Sequence, residues 1–267
     1  MKPSVLITGA SSGIGAATAA YLARHGFQVF GTSRRPEAAA EKSPGIHWIP
    51  MDVCDDASVR AGVERVLAAA QRLDGLVCNA GWGIFGSVEE VPLEAAKSQF
   101  ETNFFGVLRT LRAALPAMRE AGHGRIAVVG SLAGRAPVPF WAHYSASKAA
   151  LEALVLALRN ELHRSGVTVS LVEPGDIDTG FNEGMDWGEP EGSAYGERIR
   201  RAERVIRESL PRAPGPEVVA RAIHRALTAR RPRVRYAVGA ESWSVRIGRR
   251  LLPDGLILRL IRNHYQV

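Results

Sequence analysis

The chain has 267 residues, 46% of them hydrophobic and 23% charged, with a formal charge of +7. Those values suit one large α/β domain that buries a core, and they argue against disorder. Two cysteines, Cys54 and Cys78, exclude a disulfide framework and fit small core residues in a reducing compartment.

Residues 5–8 (Val-Leu-Ile-Thr) read as the first strand. Nothing before them resembles a signal peptide, and no apolar run in the chain reaches the ~18–20 residues that span a bilayer, so a cytoplasmic location is expected. The strand runs into Thr8-Gly9-Ala10-Ser11-Ser12-Gly13-Ile14-Gly15 and then a helix over 14–25. Glycines at such a turn bring backbone N–H groups close to a phosphate, and the positive end of the helix adds to the attraction. A second strand over 28–32 ends in Ser33-Arg34-Arg35. An acid at that strand end would bind ribose hydroxyls and repel a 2′-phosphate. A hydroxyl followed by guanidinium groups welcomes the phosphate, so NADP(H) is favoured and NAD(H) is the alternative.

A strand over 46–51, a helix over 57–71 and a strand over 75–78 follow, then a long helix over 93–121, a strand over 125–129, a helix over 144–165 and a strand over 168–172. Strands so uniformly apolar are covered on both faces, which predicts a doubly wound Rossmann fold. The expectation is one domain over 1–267, with a seven-stranded, mostly parallel sheet and helices on both faces. Residues 180–214 loosen the pattern and are expected to form a substrate lid. A helix over 216–229 and a last strand over 234–238 precede a basic amphipathic tail over 239–267. From Arg231 onward eight arginines face only Glu241 and Asp254. Such a tail could meet nucleic acid, anionic lipid or an acidic substrate, but no nucleic-acid motif accompanies it. Packing on its own domain or on a second subunit is the favoured reading, with peripheral membrane contact the alternative.

The glycine spacing, Gly-x3-Gly-x-Gly, resembles that of the short-chain dehydrogenase/reductase family, and the resemblance extends over roughly 5–179. Asp52-Val53 matches the family's adenine-contacting pair, Asn79-Ala80-Gly81 its motif beside the cofactor ribose. Pro174-Gly175 with Ile177 and Thr179 matches the segment that holds the nicotinamide carboxamide. Asn103, Ser131, Tyr144 and Lys148 match its catalytic set. The resemblance implies hydride transfer at a carbonyl or alcohol, with Tyr144 as general acid and base and no metal. Ser131 would hold the substrate oxygen, and Asn103 would link Lys148 through water to solvent.

The residue types suit that chemistry. An alkoxide forming at a carbonyl needs a proton donor in reach. A phenol with a pKa of ~10 needs ~4 kcal/mol to reach ~7, at ~1.4 kcal/mol per unit. An ammonium ~4 Å away supplies a similar amount at an effective dielectric of ~20. Tyr144 and Lys148, four residues apart, share one helix face.

Trp82, Phe85, Phe140, Trp141, Phe181, Met185 and Trp187, together with Ser131, are expected around the substrate. Apolar walls with few polar anchors predict a small lipophilic substrate. Residues 79–83 and 86–89 and the long tail resemble the hydroxysteroid and retinol dehydrogenase branch. Reduction of a 3-oxoacyl thioester is the second reading, and a non-catalytic dinucleotide-binding sensor or scaffold the third. The helix from Tyr144 is apolar nearly all round, which predicts a homodimer or homotetramer.

Overall fold

A computed structural model describes every residue except Met1, Lys42, Asn182, Glu183, Glu189, Pro190, Ala240, Glu241 and the side chain of Arg246. β1 (Ser4–Ile7) is buried at every position, so it must lie inside a sheet covered on both faces. Beside it lie β2 (Gln28–Ser33) and β3 (His47–Pro50) on one flank. On the other run β4 (Gly75–Cys78), β5 (Gly124–Val129), β6 (Val167–Pro174) and β7 (Arg235–Val238). The seven strands follow the order β3-β2-β1-β4-β5-β6-β7, and every pairing in this sheet is parallel. The order reverses between β1 and β4. Beyond the carboxyl ends of the strands at such a switch point, open α/β sheets bind their ligands.

One face is covered by α3 (Asp56–Ala70), α5 (Gly106–Glu120) and α6 (Ala142–Glu161), around Leu6, Phe30, Leu76, Ile126 and Leu151. The other carries α1 (Gly13–Arg24) and α8 (Glu217–Thr228), around Ile7, Val29, Val77, Val172 and Ile223. A short α2 (Pro36–Ala40) follows β2, where the sequence reading placed no helix. α6 ends before the predicted limit because Arg164 and Gly166 turn the chain with φ of 64° and 82°.

The helix predicted over 93–121 is three pieces. α4 (Leu93–Phe100) passes through a π-helical turn, Glu101–Phe105, into α5. The loosened i→i+5 turn holds Asn103, and π turns of this kind recur at functional sites. A third, smaller core joins Phe85, Met185, Ile199, Ala202 and Ile206. It belongs to α7 (Gly196–Ser209) and its approach, and it lies among residues leading to the cleft. The tail forms α9 (Ser242–Leu251) and α10 (Asp254–Tyr265). Among the described residues no helix is long and apolar enough to cross a membrane.

Candidate active site

The turn from β1 into α1 is shaped for an anion. Gly9 and Gly13 have φ of 64° and 51°, a region open chiefly to glycine. A Cβ on Gly15 would lie 2.1 Å from the Gly9 carbonyl oxygen, so no side chain fits there. Ser12 caps α1 in an extended conformation without a side-chain bond, leaving the first-turn N–H groups for an incoming acceptor. Thr8 Oγ1 accepts from the backbone N–H of Asn79 and Ala80 at 2.9 and 3.1 Å. Asn79 Nδ2 donates to the carbonyls of Thr8 and Gly9 at 3.0 and 3.1 Å. The Asn79 amide group therefore braces the glycine turn, and a dinucleotide can lie along a rigid floor.

Around this floor the cleft is lined by Ser11, Ser12, Ile14, Ser33, Arg34, Arg35, Asp52 and Val53. Ala80, Gly81, Pro174, Gly175, Ile177 and Thr179 complete that half. Gly15 alone of the predicted dinucleotide residues does not line it, being filled by its contact with Gly9. At the end of β2, Ser33 Oγ accepts from the Arg35 N–H at 3.0 Å. Arg34 and Arg35 are exposed, and among the described residues neither guanidinium has a carboxylate partner. Asp52 Oδ1 accepts from the Cys54 N–H at 2.9 Å, which fixes the turn after β3. These features fit a dinucleotide: an uncapped helix start for the pyrophosphate and exposed positive charge at the end of β2.

Tyr144 and Lys148 stand in the first turns of α6, both buried. Lys148 Nζ donates to the Val129 carbonyl at 3.0 Å and lies 5.6 Å from the centre of the Tyr144 ring. Ser131 caps a 3-10 turn, Leu132–Gly134, in extended conformation. Its Oγ accepts from the Ala133 N–H at 3.1 Å and donates to the Pro174 carbonyl at 3.4 Å. The turn can pack this tightly on α6 because Gly134 has no Cβ, which would meet the Lys148 backbone at 2.9 Å. Asn103 is fully buried. Its Oδ1 accepts from the Trp82 N–H at 3.0 Å, and its Nδ2 donates to the Trp82 carbonyl at 2.9 Å and to Ser147 at 3.2 Å. Asn103 thus pins the strand end at Gly81-Trp82 against α6, a bracing role that the residue's type alone did not reveal.

One expectation from charge alone is corrected. An ammonium beside a phenol is expected to make the phenol more acidic. In the structure burial pushes Tyr144 up to about 12, with the Ser131 hydrogen bond opposing it, and burial pushes Lys148 down to about 8. Desolvation drives both shifts, because burial displaces each group toward its neutral form.

A family model described as short chain dehydrogenase matches residues 3–189. The chain belongs to the short-chain dehydrogenase family. It is 35% identical over 279 residues to a 3-ketodihydrosphingosine reductase of Bacteroides thetaiotaomicron, with both chains fully covered. It is 38% identical over 255 residues to the human 17-beta-hydroxysteroid dehydrogenase type 1, covering 87% of this chain and 76% of that one. A solved short-chain dehydrogenase from Streptomyces avermitilis superposes with a TM-score of 0.84 at 34% identity, over 97% of this chain and 95% of that one. Another, from Burkholderia cenocepacia and in complex with NADP, gives 0.79 at 26% identity, with 97% of each chain covered. A nicotinamide dinucleotide is the cofactor this family likeness supports.

In this short-chain dehydrogenase the aromatic residues divide into two groups. Trp82, Trp141 and Phe181 line the cleft. Trp141 stacks on Tyr144 with ring centres 4.6 Å apart, and Phe181 lies 5.8 Å from the same ring. Phe85, Phe140, Met185 and Trp187, expected beside the substrate, instead pack into the third core and are absent from the cleft lining. The reason is a bridge between Ile84 and Asp186, with Phe85 N–H donating to the Asp186 carbonyl at 2.7 Å. That bridge turns the segment's apolar side chains inward as a small core of their own.

The cleft holds about 1510 Å³, well above the ~300–1,000 Å³ typical of small-ligand pockets, which leaves room for a dinucleotide and a second molecule. Residues that the sequence reading missed complete its far wall: Asp176, Ser209, Val245, Leu260, Ile261 and His264. Ser209 Oγ donates to Asp176 Oδ2 at 2.6 Å, tying the end of α7 to the loop after β6. Only the fold brings the tail here, because no motif in 239–267 ties it to the strand ends.

Proposed function

We propose that the protein is an NADP(H)-dependent oxidoreductase acting at a carbonyl or alcohol carbon of a lipophilic substrate, reducing ketones in its favoured direction. The observation that carries this reading is the Tyr144 phenol, which shares one cleft with Ser131 and Lys148 and is walled by Trp141 and Phe181 beside the dinucleotide half. The glycine turn with Ser11 and Ser12 would hold the pyrophosphate, Asp52 and Val53 the adenine, and Ser33, Arg34 and Arg35 the 2′-phosphate. Pro174, Gly175, Ile177 and Thr179 would meet the carboxamide, and Lys148 the nicotinamide ribose. When bound, the reduced nicotinamide supplies the hydride.

The chain's own part is to place the carbonyl and deliver a proton. Ser131 Oγ donates a hydrogen bond to the substrate oxygen. As negative charge gathers there, Tyr144 Oη passes its proton to that oxygen. An alkoxide is more basic than a phenolate, so the transfer runs downhill even from a phenol held at about 12. The phenolate is then reprotonated from solvent, and in this reading Lys148 and Asn103 would relay that proton. Holding Tyr144 protonated favours reduction over oxidation.

The relatives' names and the apolar wall of Leu260, Ile261 and Val245 support a ketone carried on a long alkyl chain or a steroid skeleton. The two free cysteines fit a cytoplasmic protein. A 3-oxoacyl thioester is the second reading, drawn by the charge of +7. Turnover of a long-chain ketone and a steroid ketone exceeding that of a 3-oxoacyl thioester supports the first reading; the reverse order supports the second. For the cofactor, Arg34→Asp is expected to raise the KM for NADPH at least about tenfold, the worth of one charge-assisted bond to phosphate, while NADH is little affected. Equal loss with both cofactors would contradict the 2′-phosphate assignment.

A further inference from the structure

Six of the ten large apolar side chains that stand exposed among the described residues lie between Trp243 and Leu260. Trp243 is 65% exposed, Leu251 70% and Leu258 57%, and Leu252, Leu256 and Leu260 are exposed with them. A chain that buries Leu and Val throughout two large cores thus concentrates its uncovered apolar surface in one helical pair, α9 and α10. α10 touches the body through a narrow stripe: Ile257 is buried, Ile261 and Tyr265 are half-buried, and Tyr265 joins the third core. Leu260 and His264 border the cleft, and Leu256, Leu258, Arg259 and Arg262 are exposed.

The charge of this pair is one-sided. Residues 242–267 contain five arginines, at 246, 249, 250, 259 and 262, and a single acid, Asp254. Asp254 is already bonded to Arg249 at 3.0 Å. Arg250, Arg259 and Arg262 are exposed and, among the described residues, have no carboxylate partner. Leucines and a tryptophan interleaved with unpaired arginines on two short helices are the composition that beds into the headgroup region of an anionic bilayer. A second copy of this chain would meet the same positive charge and is repelled by it, which argues against self-association through this patch. The same helices reach the cleft, since Val245, Leu260, Ile261 and His264 belong to its lining.

We propose that α9 and α10 dock the protein on an anionic lipid surface and set the mouth of the substrate cleft against that surface. A ketone embedded in one leaflet then enters between the leucines of α10 and the aromatic wall without crossing water. The benefit of that placement rests on the reading of a lipophilic substrate, but the docking itself involves no substrate. Positive charge supplies attraction from a distance and the exposed leucines and Trp243 supply insertion, so both lipid charge and apolar side chains are required.

Flotation of the full chain with vesicles of phosphatidylglycerol and phosphatidylcholine tests this, with pure phosphatidylcholine vesicles alongside. The wild type is expected to float with the anionic vesicles and to stay behind with the neutral ones. A variant carrying Arg250→Glu, Arg259→Glu and Arg262→Glu is expected to bind on the order of a hundredfold more weakly. Leu251→Ser with Leu258→Ser should lose flotation while keeping NADPH turnover of a water-soluble ketone, since neither residue lines the cleft. Equal flotation with neutral and anionic vesicles, no flotation at all, or unchanged flotation in both variants would overturn the proposal. A wild-type dimer that the leucine variant converts to monomer by light scattering would give the patch to a second copy instead. A wild type that floats with anionic vesicles but turns over no ketone would count against the catalytic reading alone.

Discussion

Lys148 and Tyr144 share a pocket in which neither charge is solvated, and this sets the pH response expected of the enzyme. Lys148 is held down to about 8 by burial, so it carries its charge below that pH and loses it above. Tyr144 stays protonated throughout, because burial lifts it to about 12. Reductive kcat/KM is therefore expected to be flat below pH 8 and to fall about tenfold per unit above it, as the ammonium that holds the ribose disappears. Lys148→Arg, whose guanidinium does not titrate in this range, should remove the inflection. A wild-type profile flat through pH 10 would show that Lys148 is not the titrating group. At this scale the sequence was informative about identity and silent about environment. The spacing of Tyr144 and Lys148 was plain, but the apolar wall over Tyr144 also needs Phe181, which comes from a distant stretch of chain.

At the scale of elements, the turn between β1 and α1 was legible because its glycines are required by geometry. Gly15→Ala puts a methyl group 2.1 Å from the Gly9 carbonyl, against backbone that cannot yield cheaply. The variant is expected to lose about 1–3 kcal/mol of stability and to bind dinucleotide far more weakly, measured by denaturant unfolding and by NADPH fluorescence titration. Unchanged binding would mean that the turn opens away from α1. The strands were legible too, since runs such as Val5-Leu6-Ile7 and Ile126-Ala127-Val128 are buried on both faces. The π turn at Asn103 was not. Helical periodicity continues across residues 93–121, and the extra residue per turn is imposed by packing against Trp82 and Ser147. Phe85, Phe140, Met185 and Trp187 were placed in the right neighbourhood but on the wrong side of it, because the Ile84–Asp186 bridge that turns them inward joins segments about a hundred residues apart.

For the molecule as a whole, the doubly wound sheet explains why the cofactor motifs scattered from Gly9 to Thr179 converge on one cleft: each follows a strand, and the strands all point the same way. The tail's part in that cleft could not be read in advance, since amphipathic helices of this composition pack equally well on a domain, a partner or a lipid surface. We propose that the homo-oligomer expected from α6 would form through Leu93, Phe105 and Leu156, which stay exposed on α4, the π turn and α6, elements packed against one another. Light scattering should report a dimer or tetramer that Phe105→Glu dissociates, and a monomeric wild type would refute it. The most direct test of the whole account is hydride transfer by Tyr144→Phe, followed as NADPH consumption with a lipophilic ketone. Removing one hydroxyl while keeping the ring should lower kcat by about 10²–10⁴-fold with NADPH affinity preserved. A variant that binds NADPH and turns over at the wild-type rate would contradict the assignment of the proton donor.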